Sequence, residues 1–289
     1  MSNLLQEQIT LDSIVLALPE VYQNHSRGSA IFNLLETCAQ NAAKSIYGPK
    51  GEQLADLFPD VPIQLPYFEM GAINSTHLFG LDELIMFAYY FRQRSHIRRV
   101  LDIGANIGLH SIILSKLGFE VKSYEPDPEH FATLQKNIEV NSAQNIEVVN
   151  EAVSTEKGLA SFVRVLGNTT GSHLEGTKNS YGEKHIFEVK TAEFIKIMKW
   201  ADFIKLDVEG AEARLLCSTS ESDWTDVEAF VEIGNGENAD AVFEHFKGTK
   251  VNLFSQKTGW QKAVSKDDVP ISHREGSLFI SKKDSMTWQ

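Results

Sequence analysis

The spacing of apolar residues changes at about residue 99, and this change predicts how the chain is organised. Before it, apolar side chains recur at the helical period. Five of them would share one face of a helix: Leu81, Leu84, Ile85, Ala88 and Phe91. Another helix is predicted over residues 29–47, because Gly48-Pro49 is a strong helix-ending pair. The proline-containing residues 58–67 are predicted to be extended or looped.

After residue 99, short apolar runs alternate with helical segments. Seven strands are predicted, at residues 100–103, 120–124, 146–149, 203–206, 229–233, 251–254 and 278–280. Such alternation favours a mostly parallel sheet with helices on both faces. Two extra strands, 160–165 and 186–189, flank the polar, glycine-rich residues 167–184. We interpret 167–184 as a long loop and a candidate lid, since loops of that length in compact domains are often functional.

The clearest chemical signal is the turn after the first of these strands. It reads Asp102-Ile103-Gly104-Ala105-Asn106-Ile107-Gly108. Ligands of open α/β sheets bind beyond the carboxyl ends of the strands, and glycines allow a tight turn there. A dinucleotide fingerprint needs a glycine where Asn106 stands, and its side chain would crowd a pyrophosphate. The leading acid suits a ligand with a positive centre, such as the methionine moiety of S-adenosylmethionine. The alternative is a glycine-rich turn without a ligand.

The next two strands also end in polar residues. Glu125 stands 23 residues after Asp102, close to the spacing at which a carboxylate holds a nucleotide ribose. Asp127 is predicted to cap the following helix, because proline is favoured directly after an N-cap. The third strand ends at residues 150–153, where Glu151 or the amide of Ala152 could meet the adenine edge.

Asp207 and Glu209 follow the fourth strand. Two acids at this edge could orient a methyl donor, take a proton from a hydroxyl or bind a divalent cation. The alternative is that one accepts from loop amides and the other caps a helix. Glu212 is predicted to lie on a helix surface and His110 to cap or pack. His173, in the polar loop, is a third candidate base.

Four motifs together resemble the FkbM family of methyltransferases in order and spacing. They are residues 101–108, 124–128, 151–154 and 205–212, within a similarity that covers about residues 78–235. The resemblance implies a class I methyltransferase fold (Rossmann-like), with a mostly parallel seven-stranded sheet. It also implies S-adenosylmethionine as cofactor and O-methylation of a sugar or natural-product hydroxyl, and our hypothesis is an enzyme without a metal.

The same resemblance assigns site residues. It places four on the methionine side of the cofactor: Asp102, Gly104, Asn106 and Gly108. It places Glu125, with Pro126 beside it, at the ribose. The fifth strand ends Val231-Glu232-Ile233-Gly234, without the histidine expected after the acid, so the general base stays open. Residues 1–77 are predicted to be a mainly helical and looped extension, and residues 78–289 the methyltransferase domain, with its family-like core at about 98–235.

Charge and composition limit the classes of partner that the protein is expected to bind. The net charge of −12 argues against nucleic acid, as does the absence of an aromatic residue after Asp207 to stack a flipped base. Two cysteines and no long apolar stretch predict a cytoplasmic protein without a membrane partner. The expected partner is a small-molecule or carbohydrate acceptor, and the oligomeric state stays open. Competing hypotheses are an NAD-dependent oxidoreductase and a non-catalytic cofactor-binding or scaffold protein.

Overall fold

The structure, a computed structural model, describes residues 10–178 and 182–288. Its first part is helical, with two small antiparallel hairpins. The elements are α1 (Leu11–Ala17), α2 (Ala30–Tyr47), β1 (Leu54–Phe58), β2 (Val61–Gln64), β3 (Glu69–Met70), β4 (Ile73–Asn74) and α3 (Leu81–Gln93). Ser29 caps α2 by accepting from the Ile31 amide, and Gly48 ends the helix as predicted. The segment predicted to be extended or looped is largely the β1–β2 hairpin.

From residue 99 onward strands and helices alternate. The strands are β5 (Arg99–Ile103), β6 (Glu120–Tyr124), β7 (Ile146–Val149), β8 (Ala152–Ser154), β9 (Gly158–Val165), β10 (His173–Leu174), β11 (Lys184–Glu193), β12 (Phe203–Leu206), β13 (Glu228–Val231), β14 (Asn252–Ser255), β15 (Gln261–Lys262) and β16 (Leu278–Ser281). The helices are α4 (Leu109–Lys116), α5 (Pro128–Val140), α6 (Phe194–Met198), α7 (Glu212–Leu216) and α8 (Gly236–Phe246). Single turns of 3-10 helix include Thr169–Gly171 and His273–Glu275.

The main sheet has the strand order β15-β14-β16-β13-β12-β5-β6-β7. Strands β7, β6, β5, β12 and β13 run parallel, and β16 is antiparallel to β13. The chain moves outward from β5 to β7 and then returns to β12 on the other side of β5. Strand order therefore reverses between β5 and β12, which is where sheets of this kind bind ligands.

Alternate residues of the central strands belong to two separate cores, so both faces of the sheet are covered. Val100 and Phe203 pack with α3, α4 and the first part of the chain. Leu101 and Ile204, their neighbours along the strands, pack with α6, α7 and α8. Residues from α1 and α2 belong to the same core as β5 and β12, so the predicted extension is continuous with the core of the sheet. The predicted α/β architecture with a mostly parallel sheet and helices on both faces is confirmed.

Two details of the prediction are wrong. The main sheet has eight strands rather than seven, because a short hairpin adds β15 beside β14. Residues 167–184 are not one loop, because His173–Leu174 pairs antiparallel with β9. The strands β10, β9, β11 and β8 form a separate four-stranded sheet beside the main one. Residues 179–181 of the predicted lid lie outside the described part of the chain.

Distant parts of the chain meet beside α3. His25 is buried, accepts from the indole N–H of Trp260 at 2.9 Å and packs edge-on against Trp288, with ring centroids 4.8 Å apart. The Gln256 side chain donates to the His25 carbonyl at 3.0 Å. Within residues 10–178 and 182–288, no helix has the length and apolar character needed to cross a membrane.

Candidate active site

The carboxyl ends of β6, β5, β12 and β13 open onto a cavity of about 1600 Å³. It lies at the reversal of strand order. Most of the predicted site residues line it: Gly104, Asn106, Glu125, Pro126, Glu151, Ala152, Asp207 and Glu209. Three others do not line it: Asp102, Gly108 and His173. The carboxyl ends of neighbouring strands thus converge on one space, as expected for a common ligand site.

Close packing against neighbouring elements requires glycine at two positions of the turn after β5. A Cβ on Gly104, at φ +79°, would stand 1.7 Å from the carbonyl oxygen of Asp207. A Cβ on Gly108 would meet the Leu134 side chain at 2.9 Å. Gly108 is therefore a packing residue under α5, which corrects its predicted place beside the methionine. Asn106 has φ +52°, a left-handed conformation that asparagine tolerates better than most side chains.

Glu125 joins the ends of β5 and β6. Its carboxylate accepts from the Asn106 amide at 2.7 Å and from the Asp127 amide at 2.8 Å. The side chain is buried, and burial raises the pKa of Glu125 to about 8, although the two amides oppose the shift. Asp127 caps α5 with Pro128 as the first helical residue, which confirms that prediction.

Asp102 lies behind the turn rather than in the cavity. It is fully buried and accepts from the Ser111 hydroxyl of α4 at 2.5 Å. Its side chain projects toward α4, on the same face of the sheet as its strand neighbour Lys205, but it does not reach the cavity. The sequence interpretation of Asp102 as a lining residue is therefore corrected. Its second oxygen lies 3.9 Å from the Lys205 ammonium.

Lys205, which sequence reasoning left without a role, is a buried cation under the site. Its ammonium donates to the Gly104 carbonyl at 3.2 Å and to Asp207 at 3.4 Å. Burial alone would lower the pKa of Lys205, but the charges of Asp207 and Asp102 outweigh it and raise that pKa. Lys205 therefore stays charged and balances carboxylates on two adjacent strands.

The turn after β12 presents Asp207 and Glu209 to the cavity. Glu212 holds this turn: it accepts from the amides of Val208 and Gly210, at 3.1 and 3.0 Å. Only 1% of Glu212 is exposed, so the predicted surface position is wrong, and burial raises its pKa to about 7. The side chain folds back from the first turn of α7 because those amides have no strand partner beyond β12. Glu209 has φ +57° and pairs with Lys178.

Two further carboxylates line the same part of the cavity. Glu83, in the first turn of α3, contacts His110 Nε2 at 2.7 Å, and the other ring nitrogen of His110 contacts the Tyr90 hydroxyl at 3.1 Å. His110 is therefore a packing residue, as predicted. Glu232 follows β13 and is half-buried. Burial, then the charges of Asp207 and Glu209, raise the pKa of Glu232 well above its usual value.

The polar segment after β9 lies over the turn between β12 and α7. Residues 168–172 line the cavity, and the carbonyl oxygen of Thr177 would lie 3.0 Å from a Cβ on Gly210. His173 is 1% exposed and its Nδ1 is 2.9 Å from the Gly171 carbonyl. Its pairing with β9 removes His173 from the cavity, so the structure does not place it as a base. His273, from the C-terminal part, lines the cavity instead, at a position that sequence reasoning missed.

Arg164 of β9 fixes the second sheet onto α5. Its guanidinium is buried and donates to both carboxylate oxygens of Asp127, from Nε at 2.6 Å and from Nη2. Its third nitrogen pairs with Glu129. Because the Asp127 amide donates to Glu125, the second sheet and the predicted ribose carboxylate belong to one network.

The wall opposite the turn comes from the first part of the chain. Glu36, Gln40 and Lys44 project from one face of α2, spaced four residues apart. Glu36 accepts from the Leu81 amide at 2.6 Å and so ties α2 to the start of α3. Beside it, Asp82 pairs with Arg27 and accepts from Gln256 at 2.5 Å.

The residues around the turn fit the cofactor implied by the sequence. The side-chain oxygen of Asn106 is buried beside the turn and has no hydrogen-bond partner within the described residues, so an acceptor there is left unsatisfied. The Glu125 carboxylate retains lone pairs for two hydroxyl donors beyond its two amides. Residues 10–178 and 182–288 contain no cluster of histidine, cysteine or acidic side chains arranged to hold a metal ion.

The comparisons with known proteins identify a family. A model described as "Methyltransferase FkbM domain" matches residues 102–256, more than half of the chain. No curated protein matches. A putative rRNA-methylase from Clostridium thermocellum is 10% identical, covers 68% of this chain and 92% of its own, and has a TM-score of 0.38. Precorrin-6y C5,15-methyltransferase from Geobacter metallireducens GS-15 is 12% identical, covers 68% and 84%, and has a TM-score of 0.37. The assignment of the chain to a family rests on the match of the family model to residues 102–256 and not on these two structures.

Proposed function

We propose that this chain, which belongs to the FkbM methyltransferase family, transfers a methyl group from S-adenosylmethionine to a hydroxyl of a sugar or small natural product. The observation that carries the proposal is that Glu125, Asn106 and the carboxylates after β12 and β13 line one cavity. In this proposal, a ribose holder, a methionine-side acceptor and candidate bases would border the same space.

Five residues would hold the cofactor. Glu125 would accept from the ribose hydroxyls, and Asn106 from a donor on the methionine side. The adenine side would be bordered by Pro126, Glu151 and Ala152, which line the cavity at the ends of β6 and β7. When bound, the cofactor supplies an electrophilic methyl group. The protein then contributes mainly alignment, because holding acceptor and donor in line removes most of the entropic barrier.

Asp207 and Glu232 are the candidates for the general base. An alcohol must lose its proton as its oxygen attacks, and a carboxylate within hydrogen-bond reach can take that proton. Asp207 is held by Lys205, whereas the side chain of Glu232 has no hydrogen-bond partner within the described residues and is free to accept a proton from the acceptor hydroxyl. This choice replaces His173, which the fold removes from the cavity.

The acceptor would lie against the α2 wall and His273. This part of the cavity is lined by residues outside the family match, 27–86 and 273–277, so it can vary among relatives that share a cofactor. Its amide, ammonium and carboxylate groups suit an acceptor with many hydroxyls. A cytoplasmic location is part of the proposal, consistent with the two free cysteines.

Calorimetry with S-adenosylhomocysteine tests the cofactor site. We expect binding to the wild type and at least a tenfold weaker affinity in Glu125→Gln, because one oxygen that accepts from backbone and ribose is lost. Glu120→Gln is the matched control: Glu120 begins β6, at the opposite end of the strand from Glu125, and pairs with Arg98. Binding of NAD but not of S-adenosylhomocysteine would favour the oxidoreductase. Methyl transfer is then measured with labelled cofactor on a panel of methyl glycosides, and cofactor binding without transfer to any acceptor would support a scaffold role.

A further inference from the structure

Four carboxylates line the cavity between α3, β12 and β13: Glu83, Asp207, Glu209 and Glu232. Three of them have cationic or hydrogen-bonding partners, namely His110, Lys205 and Lys178. The side chain of Glu232 makes no hydrogen bond or ion pair within the described part of the chain, and the charge of Lys205 acts on it from a distance. The neighbouring carboxylates that raise the pKa of Glu232 have no cation beside it to oppose them except Lys205, so a cationic ligand placed there would lower that pKa and favour the charged carboxylate.

The strand order fixes where this charge lies relative to the ribose carboxylate. Glu125 follows β6, the turn follows β5, Asp207 follows β12 and Glu232 follows β13, and these four strands are consecutive in the sheet. Neighbouring strands lie about 4.8 Å apart. In S-adenosylmethionine the sulfonium is attached directly to the ribose 5′-carbon. A ligand with its ribose at Glu125 that extended across β5 would therefore place its sulfur on the side of Asp207 and Glu232.

We propose that Asp207 and Glu232 make the site selective for the positive charge on sulfur, so that it binds S-adenosylmethionine more tightly than S-adenosylhomocysteine. This inference rests on the proposed function. The two ligands share adenine, ribose and amino-acid groups, and they differ only in the methyl group and the charge. Carboxylates in a partly buried site attract that charge more strongly than they would in water. Transfer of the methyl group to an acceptor would leave the sulfur neutral, so the product would lack this attraction.

The test compares the dissociation constants of three ligands by calorimetry. S-adenosylmethionine and sinefungin are cationic, since sinefungin carries an amine in place of the sulfonium, whereas S-adenosylhomocysteine is neutral at sulfur. We expect the wild type to bind both cationic ligands at least tenfold more tightly than the neutral one. In Glu232→Gln the preference should fall by about tenfold, the effect of one partly buried charge, with little change for S-adenosylhomocysteine. Asp207→Asn should act in the same direction.

Two controls separate this charge selection from general damage to the site. Glu237→Gln removes an exposed carboxylate that also lines the cavity, and it should leave the preference unchanged because solvent screens it. Glu125→Gln should weaken all three ligands to a similar degree, since all share the ribose. Equal affinities in the wild type, or an unchanged preference in Glu232→Gln, would overturn the inference while leaving the proposed function intact. Failure of all three ligands to bind would overturn both.

Discussion

Replacing Gly104 by alanine should separate the ends of β5 and β12. The added Cβ would stand 1.7 Å from the Asp207 carbonyl oxygen, and both atoms belong to backbone held in the sheet, so no side-chain rotation can relieve the contact. The left-handed conformation at φ +79° costs a non-glycine residue about 1–2 kcal/mol. Forcing packed groups apart typically costs a further 1–3 kcal/mol or so. We therefore expect the free energy of unfolding to fall by about 2–5 kcal/mol.

Gly118→Ala is the matched control for the conformational part of this loss. Gly118 has φ +95°, but a Cβ there would have no neighbour within 4 Å. It should lose only about 1–2 kcal/mol. Urea denaturation of both variants gives the difference, and calorimetry with S-adenosylhomocysteine should show weaker binding for Gly104→Ala alone. Equal losses in the two variants would refute the argument, because the close approach of the two strand ends would then have no energetic role.

Three further predictions concern the network around the site. Glu212→Ala leaves the amides of Val208 and Gly210 without their acceptor. It should lower the free energy of unfolding, measured in urea, by about 2–5 kcal/mol, and Glu212→Gln should lower it less. A loss below about 1 kcal/mol would mean that water replaces the carboxylate. Because the pKa of Glu125 is raised to about 8 in the folded state, its contribution to stability is present below pH 4.5 and is lost as the pH rises to 8. Denaturation at several pH values should show this decline, with a slope of up to about 1.4 kcal/mol per pH unit that disappears in Glu125→Gln. Arg164→Met should weaken binding of S-adenosylhomocysteine through Asp127, with partial recovery in Arg164→Lys, and unchanged affinity in Arg164→Met would contradict the coupling.

The strands, the turn and the capping of α5 could be predicted because their signals are local. A buried parallel strand appears as a continuous apolar run, and the helix after it begins with residues that suit an N-cap, as at Asp127. The eighth strand could not be predicted in this way, because Gln261–Lys262 is two residues long and both side chains are exposed.

The residues around the cavity were predicted less completely because their roles depend on tertiary contacts. Glu212 looks like a surface residue of a short helix, and only the neighbouring turn shows why it is buried. Lys205 stands within an apolar strand. A buried lysine is nearly always paired with acids, so its position was the one sequence signal that acidic side chains lie nearby. Glu83 and His273 come from segments far from the motifs, and nothing in the local pattern connects them to the site.

The contacts of His25 affect how the protein folds. Its partners Gln256 and Trp260 are 231 and 235 positions away along the chain, so during synthesis most of the sequence must emerge before they can form. Contacts of such long range carry a large loop-closure entropy and slow folding. The wall formed by α2 and Asp82 depends on the same partners, since Gln256 also donates to Asp82. Ligand-binding competence should therefore be acquired late, after the central strands have paired.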